Sequence, residues 1–250
     1  MLTGKRVLLT GGSKGIGAAI ARRVLEDGAS LVASYNSGIG ALAGLSDEFG
    51  AKRCHAVRAD LGRVEDVDAL WQAATGHLGG VDALVNNAAV MLSARPEEDL
   101  AAWRADWVTT FAVNVQAVAD LCRAAILSFK EAGGGTIVNI SSRAAFRGDL
   151  PDSFHYAASK GAVTALTRSI AKGYAEDGIL AYAVAPGWVA TERIAAKLAA
   201  PGGEKLLADV PMGAAAPPEE VANIVAFLLA GQATHATGAT FDINGASYFH

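Results

Sequence analysis

The chain reads as an α/β protein built on a doubly wound parallel sheet of about seven strands, with helices on both faces. Three observations predict this. Short unbroken apolar runs, such as Val7-Leu8-Leu9 and Ala83-Leu84-Val85, recur along the sequence, as strands covered on both faces require. Between them lie segments with apolar residues at helical spacing, so strand and helix alternate throughout. Neither a linker nor an internal repeat breaks the alternation, so one domain over residues 1–250 is expected.

The first strand, Val7 to Leu9, runs into Thr10-Gly11-Gly12-Ser13-Lys14-Gly15-Ile16-Gly17, followed by a helix over 18–27 that stops at Gly28. Strand, glycine turn and helix together make a phosphate site. Glycines let the backbone approach closely, and the helix start offers free N–H groups. An ordinary βα turn is the alternative. Ser30 to Tyr35 is the second strand. Dinucleotide folds that hold an unphosphorylated ribose carry an acidic residue about 20 positions beyond the glycines. Tyr35, Asn36 and Ser37 stand there instead, and Lys14 adds a positive charge. That combination favours NADP(H) over NAD(H), although Lys14 also suits a solvated loop.

A helix over 41–49, a strand over 53–57 ending at Asp60-Leu61, and a helix over 64–77 closed by Gly79-Gly80 come next. The strand 83–85 leads into Asn86-Asn87-Ala88-Ala89, where paired Asn serve a turn or pin neighbouring strands. Pro96-Glu97-Glu98-Asp99 carries the proline and acids of a helix start, and one helix is expected from there to Ala132. Asn114 falls in its middle, where Asn is ordinarily a tolerated surface residue. The strand 136–140 ends at Ser141-Ser142, on the side where open α/β sheets bind ligands. Asp152-Ser153 would cap a helix to about Glu176. A strand over 180–184, the stretch Pro186-Gly187-Trp188-Val189-Ala190-Thr191, an Ala/Gly/Pro-rich excursion to Pro218, a helix over 219–230 and a strand over 239–243 complete the chain.

Tyr156 and Lys160, four residues apart, share a helix face. A free phenol ionises near pH ~10. A neighbouring ammonium favours the phenolate and would lower that value, giving a group able to pass a proton. Alone, the pair is equally a surface contact.

The bulk numbers exclude other classes. With 52% hydrophobic and 18% charged residues the chain is not disordered. A net charge of −4 without a basic run argues against nucleic acid as a partner. Cys54 and Cys122 form neither a disulfide framework nor a metal site. The first residues lack a signal-peptide pattern, and no apolar run of ~18 residues is free of polar interruption, so no membrane contact and a cytoplasmic location are expected.

Taken together, the chain resembles the classical short-chain dehydrogenase/reductases, single-domain Rossmann proteins, over essentially all its length. Thr10-Gly11, Gly15-Ile16-Gly17, Asp60-Leu61, Asn86 to Ala89 (with Ala89 in place of glycine), Asn114, Ser142, Tyr156, Lys160 and Pro186-Gly187 with Thr191 match that family's motifs in order. The spacing from Ser142 to Tyr156 is one residue longer than usual, the extra residue falling between Arg147 and His155. Gly245-Ala246 stands where a glycine pair is common.

The resemblance implies a catalytic tetrad of Asn114, Ser142, Tyr156 and Lys160. Ser142 would hold the substrate oxygen and Tyr156 would give or take the proton. Lys160 would tune the phenol and hold the nicotinamide ribose, and Asn114 would anchor a water. Cofactor contacts would come from Gly11, Ser13, Lys14, Gly15, Ile16, Gly17, Tyr35, Asn36, Ser37, Asp60, Leu61, Asn87, Ala88, Ala89, Tyr156, Lys160, Pro186, Gly187, Val189 and Thr191.

The implied reaction is hydride transfer between NADP(H) and a ketone or secondary alcohol. Met91, Phe146, Leu150, Phe154 and Trp188, under a lid around 190–215, would favour a hydrophobic ketone or a 3-oxoacyl thioester. The alternatives are an NAD-dependent alcohol or hydroxysteroid dehydrogenase and a non-catalytic redox sensor. Pairing through the long helices, here 98–132 and 152–176, would give a homodimer or homotetramer, with Tyr248-Phe249 suited to an interface.

Overall fold

The computed structural model describes residues 1–250. Seven strands form one parallel sheet in the order β3-β2-β1-β4-β5-β6-β7. They are β1 (Arg6–Leu9), β2 (Ser30–Tyr35), β3 (Cys54–Arg58), β4 (Ala83–Asn86), β5 (Gly135–Ile140), β6 (Ile179–Pro186) and β7 (Thr240–Ile243). The order reverses between β1 and β4, so their carboxyl ends open a crevice between the first βα turn and the loop after β4.

Helices cover both faces. Alternate residues of each strand point to opposite sides. Val7 and Leu9 pack with α1 (Gly15–Glu26), α2 (Ala41–Phe49) and the late helix Pro218–Leu229, whereas Leu8 packs with α3 (Val64–Leu78) and the long central helices.

The single helix expected up to Ala132 differs from its structure. Residues 96–98 form a turn, and Asp99 is the cap, its carboxylate accepting from the N–H groups of Ala101 and Ala102 at 3.0 and 3.1 Å. Then come α4 (Leu100–Phe111), a π-turn over Ala112–Gln116, and α5 (Ala117–Ala132), closed by Gly133 with φ of +81°. By length and composition the run Leu100–Ala132 reaches a mean hydropathy of 1.3 over its most apolar window, enough to cross a bilayer, although Arg104, Asp106, Asn114 and Asp120 interrupt it. Its apolar face is spent on the core, where Leu121, Cys122, Ala125 and Phe129 lie under the sheet.

A short α6 (Ala144–Arg147) was not legible in sequence. The helix α7 (Phe154–Tyr174) starts directly after the expected cap position, but Ser153 makes no capping hydrogen bond. The excursion after β6 holds α8 (Glu192–Ala199) and a 3₁₀ turn over Gly203–Leu207, before α9 (Pro218–Leu229).

A buried polar ladder ties the middle of the sheet to α7. Asn86 Nδ2 donates to Asn139 Oδ1 at 2.8 Å, and Asn139 Nδ2 donates to Thr167 Oγ1 at 2.9 Å. Both asparagines are buried, so losing one leaves unpaired groups in a medium that penalises them. Asn139→Leu should cost about 2–3 kcal/mol and lower Tm by about 4–12 °C for a chain this size. Thermal denaturation followed by circular dichroism measures it, and an unchanged Tm would show that the ladder carries no stability.

Candidate active site

The glycine turn joins β1 to α1. The helix starts at Gly15 after Lys14, which offers it no side-chain cap. Its first N–H groups are therefore left for another acceptor, an arrangement suited to phosphate. Asn87, at the end of β4, clamps the turn: its Nδ2 donates to the carbonyls of Thr10 and Gly11 at 2.9 and 3.0 Å. Thr10 Oγ1 answers by accepting from the N–H groups of Asn87 and Ala88, both at 3.0 Å. A Cβ on Gly17 would sit 1.9 Å from the Gly11 carbonyl oxygen, so only glycine permits this approach.

Tyr35, Asn36 and Ser37 form the wall beyond β2. Arg58, paired in register with Tyr35 at the end of β3, donates its Nε to the Asn36 carbonyl at 3.2 Å. Sequence reasoning missed Arg58, which the strand register alone brings to this corner. Asp60 spends one carboxylate oxygen on the N–H of Gly62 at 3.0 Å.

At the other end of the groove, β5 delivers two serines with different fates. Ser141 is buried, its Oγ 2.7 Å from Thr164 Oγ1 and donating to the Lys160 carbonyl at 3.2 Å. Ser142 lines the groove, accepts from the Ala144 N–H at 3.1 Å and stands beside the Tyr156 phenol. Both serines reach the groove wall, but Ser141 spends its hydroxyl on Thr164 and Lys160, whereas Ser142 is the more exposed of the two.

Tyr156 and Lys160 stand one turn apart on α7, with Lys160 Nζ 5.7 Å from the phenol ring centroid. Lys160 is buried and donates to the Ile140 carbonyl at 2.7 Å, which leaves two of its three N–H groups for a ligand. Burial pushes its amine down to about 8.

The expected lowering of the phenol is not found. Burial, the largest influence, pushes the Tyr156 phenol up. The Ser142 hydroxyl opposes this, Asp149 adds to it, and Arg193 opposes it. Desolvation of a phenolate outweighs the neighbouring charges. The phenol therefore holds its proton at neutral pH, as a proton donor must.

Asn114 lies in the π-turn and is fully buried, against the expectation of a surface residue. Its Oδ1 accepts from the Val90 N–H at 2.8 Å, and its Nδ2 donates to the Val90 carbonyl at 2.9 Å and to Ser159 Oγ at 3.1 Å. The amide fastens the loop after β4 to α7 from behind the groove.

The groove has a volume of about 1140 Å³. Its walls bring together every residue expected to contact cofactor, from Gly11 to Thr191, and Ser142; Asn114 alone stands outside. Met91, Leu150 and Trp188 line the substrate end. Phe146 and Phe154 do not. Phe146 stacks on His250 at 4.2 Å between ring centroids, and Phe154 is an exposed residue at the start of α7. The open helix start, the glycine cradle and the free N–H groups of Lys160 fit a dinucleotide.

Ala246, which replaces the second glycine of the familiar pair, is held at φ of +65°. An alanine pays for that conformation where glycine would not.

Fold and groove define a dinucleotide-dependent oxidoreductase. The chain belongs to the short-chain dehydrogenase/reductase family. The family described as enoyl-(acyl carrier protein) reductase matches residues 11–246. A 3β-hydroxysteroid dehydrogenase of Eggerthella lenta is 38% identical, covering 98% of this chain and 94% of its own. A 3-oxoacyl-[acyl-carrier-protein] reductase of Vibrio cholerae is 34% identical over 99% and 98%. Among solved structures, a 3-ketoacyl-(acyl-carrier-protein) reductase from Brucella melitensis complexed with NADH superposes with a TM-score of 0.88 at 30% identity, covering both chains fully. The family binds NAD(P)(H) and acts on small molecules, and this chain is an oxidoreductase.

Proposed function

We propose that the protein is an NADP(H)-dependent ketoreductase of hydrophobic ketones or 3-oxoacyl thioesters. The reading rests on one observation: a protonated Tyr156 beside Ser142 and Lys160 at one end of a groove whose other end carries Lys14, with Arg58 behind Asn36, and no carboxylate at 35–37. A bound nicotinamide supplies the hydride. Ser142 positions the substrate oxygen, and Tyr156 delivers the proton to it as negative charge develops there. Lys160 would hold the ribose with its remaining N–H groups and would keep a positive charge near that oxygen. Asn114 acts at one remove, by fixing Val90 and Ser159. Residues 1–250 form one domain, with a lid around 190–215.

One charge-assisted bond from Lys14 or Arg58 to a 2′-phosphate is worth about 1.5–3 kcal/mol. NADPH should therefore exceed NADH in kcat/KM by about tenfold or more on a panel of ketones, read from reduced-cofactor absorbance. A strong preference for NADH would overturn the NADP(H) assignment. It would favour a second reading, an NAD-dependent hydroxysteroid-type dehydrogenase, which the Eggerthella relative and the NADH-bound Brucella neighbour support.

The exposed Leu100, Val108 and Leu127 along α4 and α5, and Phe249 at the C-terminal segment, support a homo-oligomer, a dimer or tetramer.

A further inference from the structure

Arg143 follows Ser142 directly, and its side chain is only 8% exposed. A guanidinium taken this far from water needs an anionic partner. Its carboxylate neighbour is Asp209, 3.3 Å away, on the lid segment. The same carboxylate oxygen of Asp209 is also paired with Arg147 Nη1. Two guanidinium groups thus share one carboxylate, which is 40% exposed and carried by a surface segment. Arg143 also donates to Ser247 Oγ and lies over the Trp188 ring, its Cζ 5.6 Å from the centroid. The indole Nε1 of Trp188 is buried and has no hydrogen-bond partner.

All of this belongs to the substrate end of the groove, where Arg143, Arg147, Trp188, Arg193, Lys205 and Asp209 share the wall. Two further acids, Asp149 and Glu192, line it as well. Asp149 already spends one oxygen on the Leu150 N–H at 2.9 Å.

We propose that Arg143 and Arg147 form a carboxylate-recognition subsite, covered by Asp209 until substrate binds, and that the substrate is a ketone or secondary alcohol bearing a carboxylate. Asp209 is a carboxylate already seated on both arginines, so the chemistry of the pocket is displayed by the chain itself. A planar guanidinium on an aromatic face, held by a hydroxyl, is fixed for carboxylate recognition. A substrate carboxylate exchanges with Asp209 on the same donors. The arginines are the same in both states; Asp209, 40% exposed, recovers water when it leaves them.

The subsite rests on the oxidoreductase reading of the groove, and its test is independent of turnover. Hexanoate and hexanamide, matched in size, are titrated calorimetrically into the full chain with NADP⁺ and with NAD⁺ in parallel. Hexanoate should bind about tenfold tighter or more. Arg147→Gln, at a position 36% exposed and so harmless to the core, should cut that ratio to about threefold or less. Asp209→Asn should tighten hexanoate several-fold and leave hexanamide unchanged. Equal affinities, no binding of either, or equal effects of Asp209→Asn on both would overturn the subsite and leave Asp209 as a lid latch only. An uncharged ketone reduced without any charge preference in binding defeats the subsite and spares the reductase reading. Charge-selective binding with no turnover of any ketone does the reverse.

Discussion

Replacing Tyr156 by Phe should lower kcat by about 10²–10⁴-fold, the usual loss when a positioned acid is removed. NADPH affinity, measured by fluorescence titration, should stay within about threefold. The phenol hydroxyl stands beside Ser142, while Lys160 is anchored elsewhere, on the Ile140 carbonyl. Phe therefore keeps the ring packing and removes one oxygen. Because burial holds the phenol pKa above its ordinary value, reduction runs from the protonated form that dominates at neutral pH. The reverse oxidation needs the phenolate and so gains as pH rises. Near-wild-type kcat in the Phe variant would remove Tyr156 from the chemistry.

Gly17→Ala should be nearly as damaging by a different route. The added Cβ would lie 1.9 Å from the Gly11 oxygen and 2.6 Å from Asn87 Nδ2, and the first is backbone that cannot swing aside. Relief requires opening the turn that Asn87 clamps. NADPH affinity should fall at least about 30-fold, equal to about 2 kcal/mol. Gly44→Ala is the matched control: it lies within α2 with nothing within 4 Å of the new methyl. It should leave cofactor affinity unchanged and stabilise the chain by up to about 1 kcal/mol. Equal NADPH affinity in Gly17→Ala and wild type would show that the turn does not hold the dinucleotide.

Much of the fold and most of the groove were legible because they are written locally. Buried parallel strands announce themselves as apolar runs, and the glycines of the first turn lie within seven residues of one another. What the sequence hid depends on neighbours brought from afar. Arg58 reaches Asn36 only through strand register, and Asn139 meets Asn86 and Thr167 only across the sheet. Nothing local shows that Asp209 and Ser247 close over Arg143. The direction of the Tyr156 shift was misjudged for the same reason: spacing shows a nearby amine, whereas burial depends on everything else around the ring. Asn114 looked like a mediocre helix former because periodicity assumes an unbroken α-helix.

The wider turn over 112–116 has a consequence for how this chain can change. Each residue of an α-helix rotates the following side chains by roughly 100°. A wider turn spreads the same rotation over one more residue, so deleting one residue there would leave the apolar stripe of α5, including Leu121 and Phe129, seated beneath the sheet and would instead draw Asn114 away from Val90 and Ser159. The surplus residue is therefore a device of placement: the helix would pack without it, but the fastening of the loop after β4 to α7 would be lost.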